Sequence, residues 1–177
     1  MPATADGLRN EDALALQAAS DPVPDSALVT PVARRDPTAP QLAARAAGVT
    51  VTLPPLLEAY AALAAMADRV VVEGVGGWLA PLADGLDQSD LVKALDLPVI
   101  LVVGLKLGCL NHARLTARAI AADGCRLQGW IGSTVEPGFP EAYVDLVRAA
   151  LPGPCLGRLP FVPGAPAEVL ARHLTLP

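Results

Sequence analysis

Short apolar runs that alternate with helical segments constrain the fold of this chain more than any other feature of its sequence. Hydrophobic spacing predicts a helix at 10–19 and then helix 53–69, strands 70–73 and 97–104, helix 110–124, strand 127–133, helix 140–151 and strand 154–160. Nearly uninterrupted apolar strands are typical of strands buried on both faces, as in parallel sheets covered by helices. We therefore predict an α/β fold with a doubly wound, mostly parallel sheet and helices on both faces.

Length and hydrophobicity favour one domain. The chain has 177 residues, of which 53% are hydrophobic, which suffices for a single core spanning residues 1–177. No internal repeat or linker marks a second domain. Apolar runs stay shorter than a membrane span requires, and the first ten residues lack the pattern of a signal peptide. We predict a cytoplasmic protein.

Net charge and cysteine spacing argue against nucleic acid as a partner and against a cysteine metal site. The net charge is −5, and the arginines are scattered, so no basic stripe is available for a phosphate backbone and nucleic acid is not an expected partner. Cys109, Cys125 and Cys155 show no spacing typical of a metal site. We interpret them as reduced thiols, mostly buried.

Glu73 is the first candidate site residue, because it ends an apolar run and precedes three closely spaced glycines in the stretch VVVEGVGG. Ligands of parallel sheets bind beyond the carboxyl ends of the strands. A carboxylate there suits a divalent cation, and glycines let backbone amides approach phosphate oxygens. The alternative, a solvated glutamate that opens a flexible turn, stays open at this point.

The second candidate is the stretch GLKLGCLNHARLTARA at 104–118. A strand passes through a loop with Gly104 and Gly108 into a helix whose first turn carries Asn111 and His112. This arrangement suits an anion at a helix N-terminus. The alternative, in which Asn111 is a simple helix cap and His112 is a surface or core histidine, stays open at this point.

Together these stretches resemble the dethiobiotin synthetases, which close the ureido ring of dethiobiotin with carbon dioxide and ATP. The resemblance rests on residues 7–17, 70–82, 97–117, 129–130 and 156–161, and KLGCLNHA at 106–113 is its most specific part. It implies a P-loop α/β domain, a homodimer, ATP and Mg²⁺, and ATP-dependent carboxylation and ring closure of 7,8-diaminononanoate in biotin biosynthesis.

The resemblance also implies roles for individual residues near the phosphates and the substrate. Asp12 and Glu73 match the family's magnesium ligands, and Gly74, Val75, Gly76 and Gly77 match the residues that line the nucleotide phosphates. The helix start that receives the substrate carboxylate across the dimer interface corresponds to Leu107, Gly108, Cys109, Leu110 and Asn111.

The base-binding residues follow from the same resemblance. Ser133 and Thr134 stand where family members commonly have an asparagine, while Pro160, Phe161 and Val162 match the loop that flanks the base. Glu168 matches a family glutamate only if the loop lengths differ by one. A hydroxyl in place of an amide changes the hydrogen bonds available to a base edge.

The largest departure from the family pattern is the absence of its glycine-rich Gly-Lys-Thr loop, the adjoining strands and the catalytic lysine. The lysines of this chain are Lys93 and Lys106, neither of which follows a glycine. Because such lysines neutralise charge on the transferring phosphoryl group, we assign no catalytic residue and expect the chain as written to be nearly inactive. We expect an N-terminally truncated domain in which Met1 is a misplaced start or a fragment boundary.

Other interpretations stay open. A ParA-like ATPase would require a basic or membrane-binding surface, and the synthetase half of a cobyrinate amidase would require a C-terminal glutaminase domain. A non-catalytic remnant of the family would dimerise or bind partners through 104–118 and have no affinity for nucleotide.

Overall fold

The computed structural model describes residues 11–32 and 51–176. The chain divides into two compact units, Met1–Leu95 and Asp96–Pro177, and each is described by itself. A single domain over 1–177 stays a prediction.

The first unit is mainly helical. In chain order its described elements are α1 (Glu11–Ala18), α2 (Ser26–Val29), α3 (Leu53–Ala64), β1 (Pro81–Ala83), β2 (Leu86–Asp87) and α4 (Gln88–Leu95). Prolines open α3, where their fixed φ suits a helix start. β1 and β2 form an antiparallel pair that sequence patterning did not predict. Val51 and Ala83 are buried in a small core with Leu56 and Leu86 packed against it.

The start of α4 is fixed by a carboxylate. Asp90 accepts a 2.8 Å hydrogen bond from the backbone N–H of Asp87, the residue before the helix, which is one half of a capping box. The Lys93 ammonium lies 2.9 Å from the same carboxylate. Hydrogen bonds from Lys93 and from Asp87 hold the pKa of Asp90 below its ordinary value. Lys93 therefore belongs to a local ion pair.

The predicted strand at 70–73 is wrong. Residues 70–73 have no strand conformation, and Val71 and Val72 are 80% and 42% exposed. A valine-rich segment forms a strand only when its backbone groups pair with a neighbour. The strands of the described residues pair with one another and leave this segment outside both sheets.

The second unit contains the predicted parallel sheet. Its described elements are β3 (Val99–Leu105), α5 (Cys109–Ala122), β4 (Leu127–Thr134), α6 (Glu141–Ala150), β5 (Cys155–Leu159) and α7 (Ala167–Ala171). The strand order is β3-β4-β5, and both pairs are parallel. The α/β fold class is confirmed, and the strands and helices from 97 to 160 lie within two residues of their predicted positions.

One face of this sheet forms the main core. Leu105 and Trp130 are fully buried and pack with α5 and α6, which contribute Ala113, Ala117 and Val147. The other face of β3 differs, because Ile100 and Val102 are 36% and 60% exposed. Burial of β3 on both faces, predicted from its apolar run, is therefore wrong: β3 is the edge strand of the described sheet, and α5 covers one of its faces.

Two smaller expectations concern the cysteines and membrane-spanning helices. Cys109 is buried, Cys125 and Cys155 are half-buried, and all three are free thiols, so the prediction of mostly buried cysteines holds for one of them. Within the two described ranges, helices are too short or too polar for any of them to cross a bilayer.

Candidate functional site

The loop after Glu73 is ordered by its own backbone bonds. The Gly77 N–H donates to the Val75 carbonyl at 2.9 Å and the Ala80 N–H donates to the Gly77 carbonyl at 3.0 Å. Gly76 has φ 77°, a left-handed conformation that glycine adopts without steric cost. The glycines at 74–77 thus form a defined turn.

Gln88 connects this turn to α4. Its side-chain Oε1 accepts a 3.2 Å hydrogen bond from the Val75 N–H, and the residue is only 5% exposed. A Cβ on Gly74 would lie 3.5 Å from the Gln88 side chain, which is ordinary contact. The sequence analysis missed Gln88, because its partner is thirteen positions away and no local pattern marks it.

Replacement of Gln88 by methionine is expected to loosen the glycine turn. Methionine keeps the length of the side chain but offers no comparable acceptor, so the Val75 N–H loses a bond worth about 1 kcal/mol. We expect faster amide hydrogen exchange at Val75, by roughly fivefold. Gln17→Met is the control, since the Gln17 amide donates to the Pro24 carbonyl instead. Unchanged exchange at Val75 in Gln88→Met would contradict this role.

The predicted magnesium ligands Asp12 and Glu73 both belong to the first unit. Asp12 lies in the first turn of α1 and Glu73 in the loop before Gly74, and both residues are exposed. In residues 11–32 and 51–176, three or more His, Cys, Asp or Glu side chains do not gather into a metal-binding group. The donor set nevertheless suits Mg²⁺, which is commonly held by one or two carboxylates with phosphate and water.

The predicted substrate-binding residues surround the start of α5. Gly108 is its N-cap, with φ 90° and no side-chain cap, and Leu107 is 80% exposed. The Cys109 N–H donates to the Lys106 carbonyl at 3.0 Å. Helix geometry leaves the N–H groups of Leu110 and Asn111 without an intrahelical carbonyl, so these two amides are the ones that suit an anion.

Cys109 is the buried residue of this stretch. The Cys109 residue is 2% exposed, and it packs in the core of the second unit. Its side chain anchors the helix start in this core, and the substrate-binding role that the resemblance implies for Cys109 stays a prediction. The Asn111 side chain is exposed, as is His112.

The base-binding candidates lie at the carboxyl edge of the same sheet. Ser133 in β4 stands opposite Gly104 in β3 and opposite Leu159 in β5. Residues 107–111 follow β3 and residues 160–162 follow β5, so the parallel strands bring these loops to one edge. Ser133 and Thr134 end β4 at that edge.

A cavity of about 440 Å³ lies beyond β4 and β5. It is lined by Thr134, Phe139, Arg158, Pro160, Phe161 and His173, among others. Its volume falls within the range of about 300–1,000 Å³ typical of ligand cavities. Thr134, Pro160 and Phe161 were predicted for the nucleotide. Ser133, Val162 and Glu168 are not among the lining residues, and Val162 is 50% exposed.

Arg158 is one of two polar lining residues, with His173, that sequence reasoning missed. Its Nε donates a 3.2 Å hydrogen bond to the Thr134 hydroxyl, and its guanidinium forms an ion pair with Glu141 at the start of α6. His173 is held nearby through Gly157, which forms a backbone bridge with Leu174. A Cβ on Gly157 would collide with the His173 carbonyl, so glycine is required there.

The second unit, a parallel sheet with helices and a cavity at its carboxyl edge, has an architecture that agrees with α/β domains of the P-loop class. The family described as "AAA domain" matches residues 2–168. This match covers both described units and assigns the chain to that class.

Curated relatives identify a more specific family within this class. The ATP-dependent dethiobiotin synthetase BioD of Xanthomonas euvesicatoria pv. vesicatoria (strain 85-10) is 56% identical over 176 residues, which are 98% of this chain and 79% of the relative. BioD of Xanthomonas campestris pv. campestris (strain 8004) is 56% identical over 177 residues, 99% of this chain and 79% of the relative. BioD of Xylella fastidiosa (strain 9a5c) is 55% identical over 170 residues, 94% of this chain and 75% of the relative. The chain belongs to the dethiobiotin synthetase family.

Proposed function

We propose that this protein acts in biotin biosynthesis as an ATP- and Mg²⁺-dependent cyclo-ligase that joins carbon dioxide to 7,8-diaminononanoate to form dethiobiotin. The observation that carries the proposal is 56% identity over 98% of the chain to a protein named ATP-dependent dethiobiotin synthetase. The cavity at the carboxyl edge of the second unit supports it, because its volume suits a nucleotide base and its lining combines the apolar Phe161 and Pro160 with polar side chains such as Thr134.

The reaction consists of three steps. An amine of the substrate captures carbon dioxide as a carbamate, and the carbamate oxygen then takes the γ-phosphoryl group of ATP, which releases ADP. The second amine attacks the resulting carbonyl, closes the ureido ring and expels phosphate. Such chemistry depends mainly on positioning and on neutralisation of charge, so it requires no covalent nucleophile from the protein.

Residues of the first unit would meet the phosphates. Asp12 and Glu73 would hold Mg²⁺, which neutralises the negative charge of the phosphate oxygens when bound. In residues 11–32 and 51–176, no hydrogen bond or ion pair occupies either carboxylate. The turn at 74–77, connected to α4 through Gln88, would present backbone amides to the same oxygens.

Residues of the second unit would bind the organic parts of the substrates. The N–H groups of Leu110 and Asn111 at the start of α5 would receive the carboxylate of diaminononanoate, because a helix N-terminus favours an anion. Pro160 and the 41% exposed Phe161 would flank the base, with Ser133, Thr134 and Val162 close by. A homodimer and a cytoplasmic location are parts of the same proposal.

Turnover by the purified chain tests the proposed function. We expect dethiobiotin to form from diaminononanoate, bicarbonate and Mg-ATP, at a low rate because no glycine precedes either lysine. Mass spectrometry of the product, with reactions lacking ATP or bicarbonate as controls, provides the measurement. A dimer that forms no dethiobiotin and binds no nucleotide would contradict the proposal and favour a non-catalytic remnant of the family.

A further inference from the structure

Three polar side chains are joined beside the cavity of the second unit. Glu141, at the first position of α6, pairs with the Arg158 guanidinium, and the Nε of Arg158 donates to the Thr134 hydroxyl oxygen at 3.2 Å. Arg158 and Thr134 both line the cavity. The guanidinium is thereby held between α6 and β4, which fixes its orientation toward the Thr134 hydroxyl.

This contact limits where the Thr134 hydroxyl hydrogen can point. Arginine has only donors, so the hydroxyl oxygen accepts from Arg158 and its hydrogen is directed elsewhere. In the part of the chain that the structure describes, the Thr134 hydroxyl forms no other hydrogen bond. Thr134 therefore keeps one donor for a ligand in the cavity.

Other groups in the lining can accept hydrogen bonds. His173 lines the same cavity, and a neutral imidazole has one acceptor nitrogen. The backbone carbonyls of the lining residues are acceptors as well. Adenine offers a pattern that complements a donor beside acceptors, because its 6-amino group donates and the neighbouring ring nitrogens, N7 and N1, accept.

We propose that Arg158 positions the Thr134 hydroxyl to donate a hydrogen bond to an adenine ring nitrogen next to the 6-amino group, N7 or N1. The inference deepens the proposed function and rests on it, because it takes the cavity as the site of the adenine base of ATP. Thr134 determines specificity in this role, and Arg158 is a positioning residue. Without the bond from Arg158, the hydroxyl is free to rotate and its bond to the base weakens.

ATP analogues in which a carbon replaces one ring nitrogen test this bond. Isothermal titration calorimetry of the purified chain measures the affinities for the magnesium complexes of ATP, 7-deaza-ATP, 1-deaza-ATP and 3-deaza-ATP. We expect either 7-deaza-ATP or 1-deaza-ATP to bind about fivefold more weakly than ATP, which is the loss of one hydrogen bond. 3-Deaza-ATP is the matched control and should bind as ATP does, because N3 is remote from the amino group.

Substitutions assign the effect to the two residues. Thr134→Val should bind ATP and the weakened analogue equally, and Thr134→Ser, which keeps the hydroxyl, should retain the difference. Arg158→Gln, which offers the hydroxyl hydrogen an acceptor, should reduce the fivefold ratio to less than about twofold. Arg158→Lys keeps only donors and should retain the ratio. Arg126→Gln is the control, since Arg126 bonds Gln128 instead.

The ratio of affinities separates these roles from a structural one, because a residue with a purely structural role would change the affinity for ATP and its analogues by the same factor. Equal binding of ATP, 7-deaza-ATP and 1-deaza-ATP by the unmodified chain, with dethiobiotin still formed, would overturn this inference alone. A difference that persists in Thr134→Val would overturn the role of Thr134, and one that persists in Arg158→Gln would overturn that of Arg158. No binding of ATP, together with no dethiobiotin, would overturn the proposed function as well.

Discussion

Glu73→Gln is expected to lower the rate of magnesium-dependent phosphoryl transfer by on the order of 100-fold or more. Glutamine keeps the size of the side chain but removes the charge that a hard divalent cation requires from its ligands. The fold should persist, because Glu73 lies in an exposed loop and forms no hydrogen bond or ion pair with any other described residue.

Two measurements check this effect. The rate of ADP release in the presence of diaminononanoate and bicarbonate reports phosphoryl transfer, and the Mg²⁺ concentration for half-maximal rate reports metal binding. Glu58→Gln, an exposed glutamate in α3, is the matched control and should behave as the unmodified chain does. An unchanged rate and Mg²⁺ dependence in Glu73→Gln would show that the metal role is wrong.

Leu105→Ala is expected to have the largest effect on stability, lowering the free energy of unfolding by about 2–5 kcal/mol. Leu105 ends β3 and is fully buried at 0% exposure, where it packs in the core with Trp130, Ala113 and Val147. Removal of the Cγ methine and its two methyl groups leaves a cavity whose walls relax only partly, so both burial and packing are lost.

The same substitution on the surface gives the control for this prediction. Leu115 lies in α5 and is 56% exposed, so Leu115→Ala should change the free energy of unfolding by less than about 0.5 kcal/mol. Urea unfolding followed by circular dichroism measures both variants. Equal losses would mean that the end of β3 is not part of the stabilising core.

The local hydrophobic pattern was sufficient to predict the strands and helices of the second unit between residues 97 and 160. Apolar runs at 97–104 and 127–133 and the intervening amphipathic helix became β3, β4 and α5, because period and length of hydrophobic segments distinguish strands from helices directly. The glycines at 76 and 108 were also found from sequence, and both adopt positive φ. Fold class and the positions of the loops at the carboxyl edge followed from these features.

The same pattern failed at 70–73 for a physical reason. Residues 70–73, three valines and a glutamate, have the composition of a buried strand. Strand formation, however, depends on a neighbour that supplies hydrogen bonds. The described strands leave that segment unpaired, and Val71 is 80% exposed. Likewise the apolar run of β3 could not reveal that Val102 would face outward at 60% exposure.

The residues of the candidate site also fall into two groups, those named from sequence and those that only the structure revealed. Glu73, Asn111, Thr134 and Phe161 were named from sequence, because residue type and resemblance to a family indicate chemistry position by position. Gln88 and Arg158 were not named from sequence, because Gln88 bonds a residue thirteen positions away and Arg158 bonds a residue twenty-four positions away. Their partners became neighbours only through the packing of α4 against the turn and of β5 beside β4.

The sequence by itself determined the α/β class, the succession of strands and helices from 97 to 160, the glycine positions and the family, because hydrophobic period, glycine placement and motif letters are local properties. The tertiary structure alone decided which strand faces are covered, that the Cys109 thiol is in the core, and that Arg158 connects Glu141 to Thr134. Those features depend on contacts between distant segments, and the free energy of such contacts is set by burial and geometry that no single segment contains.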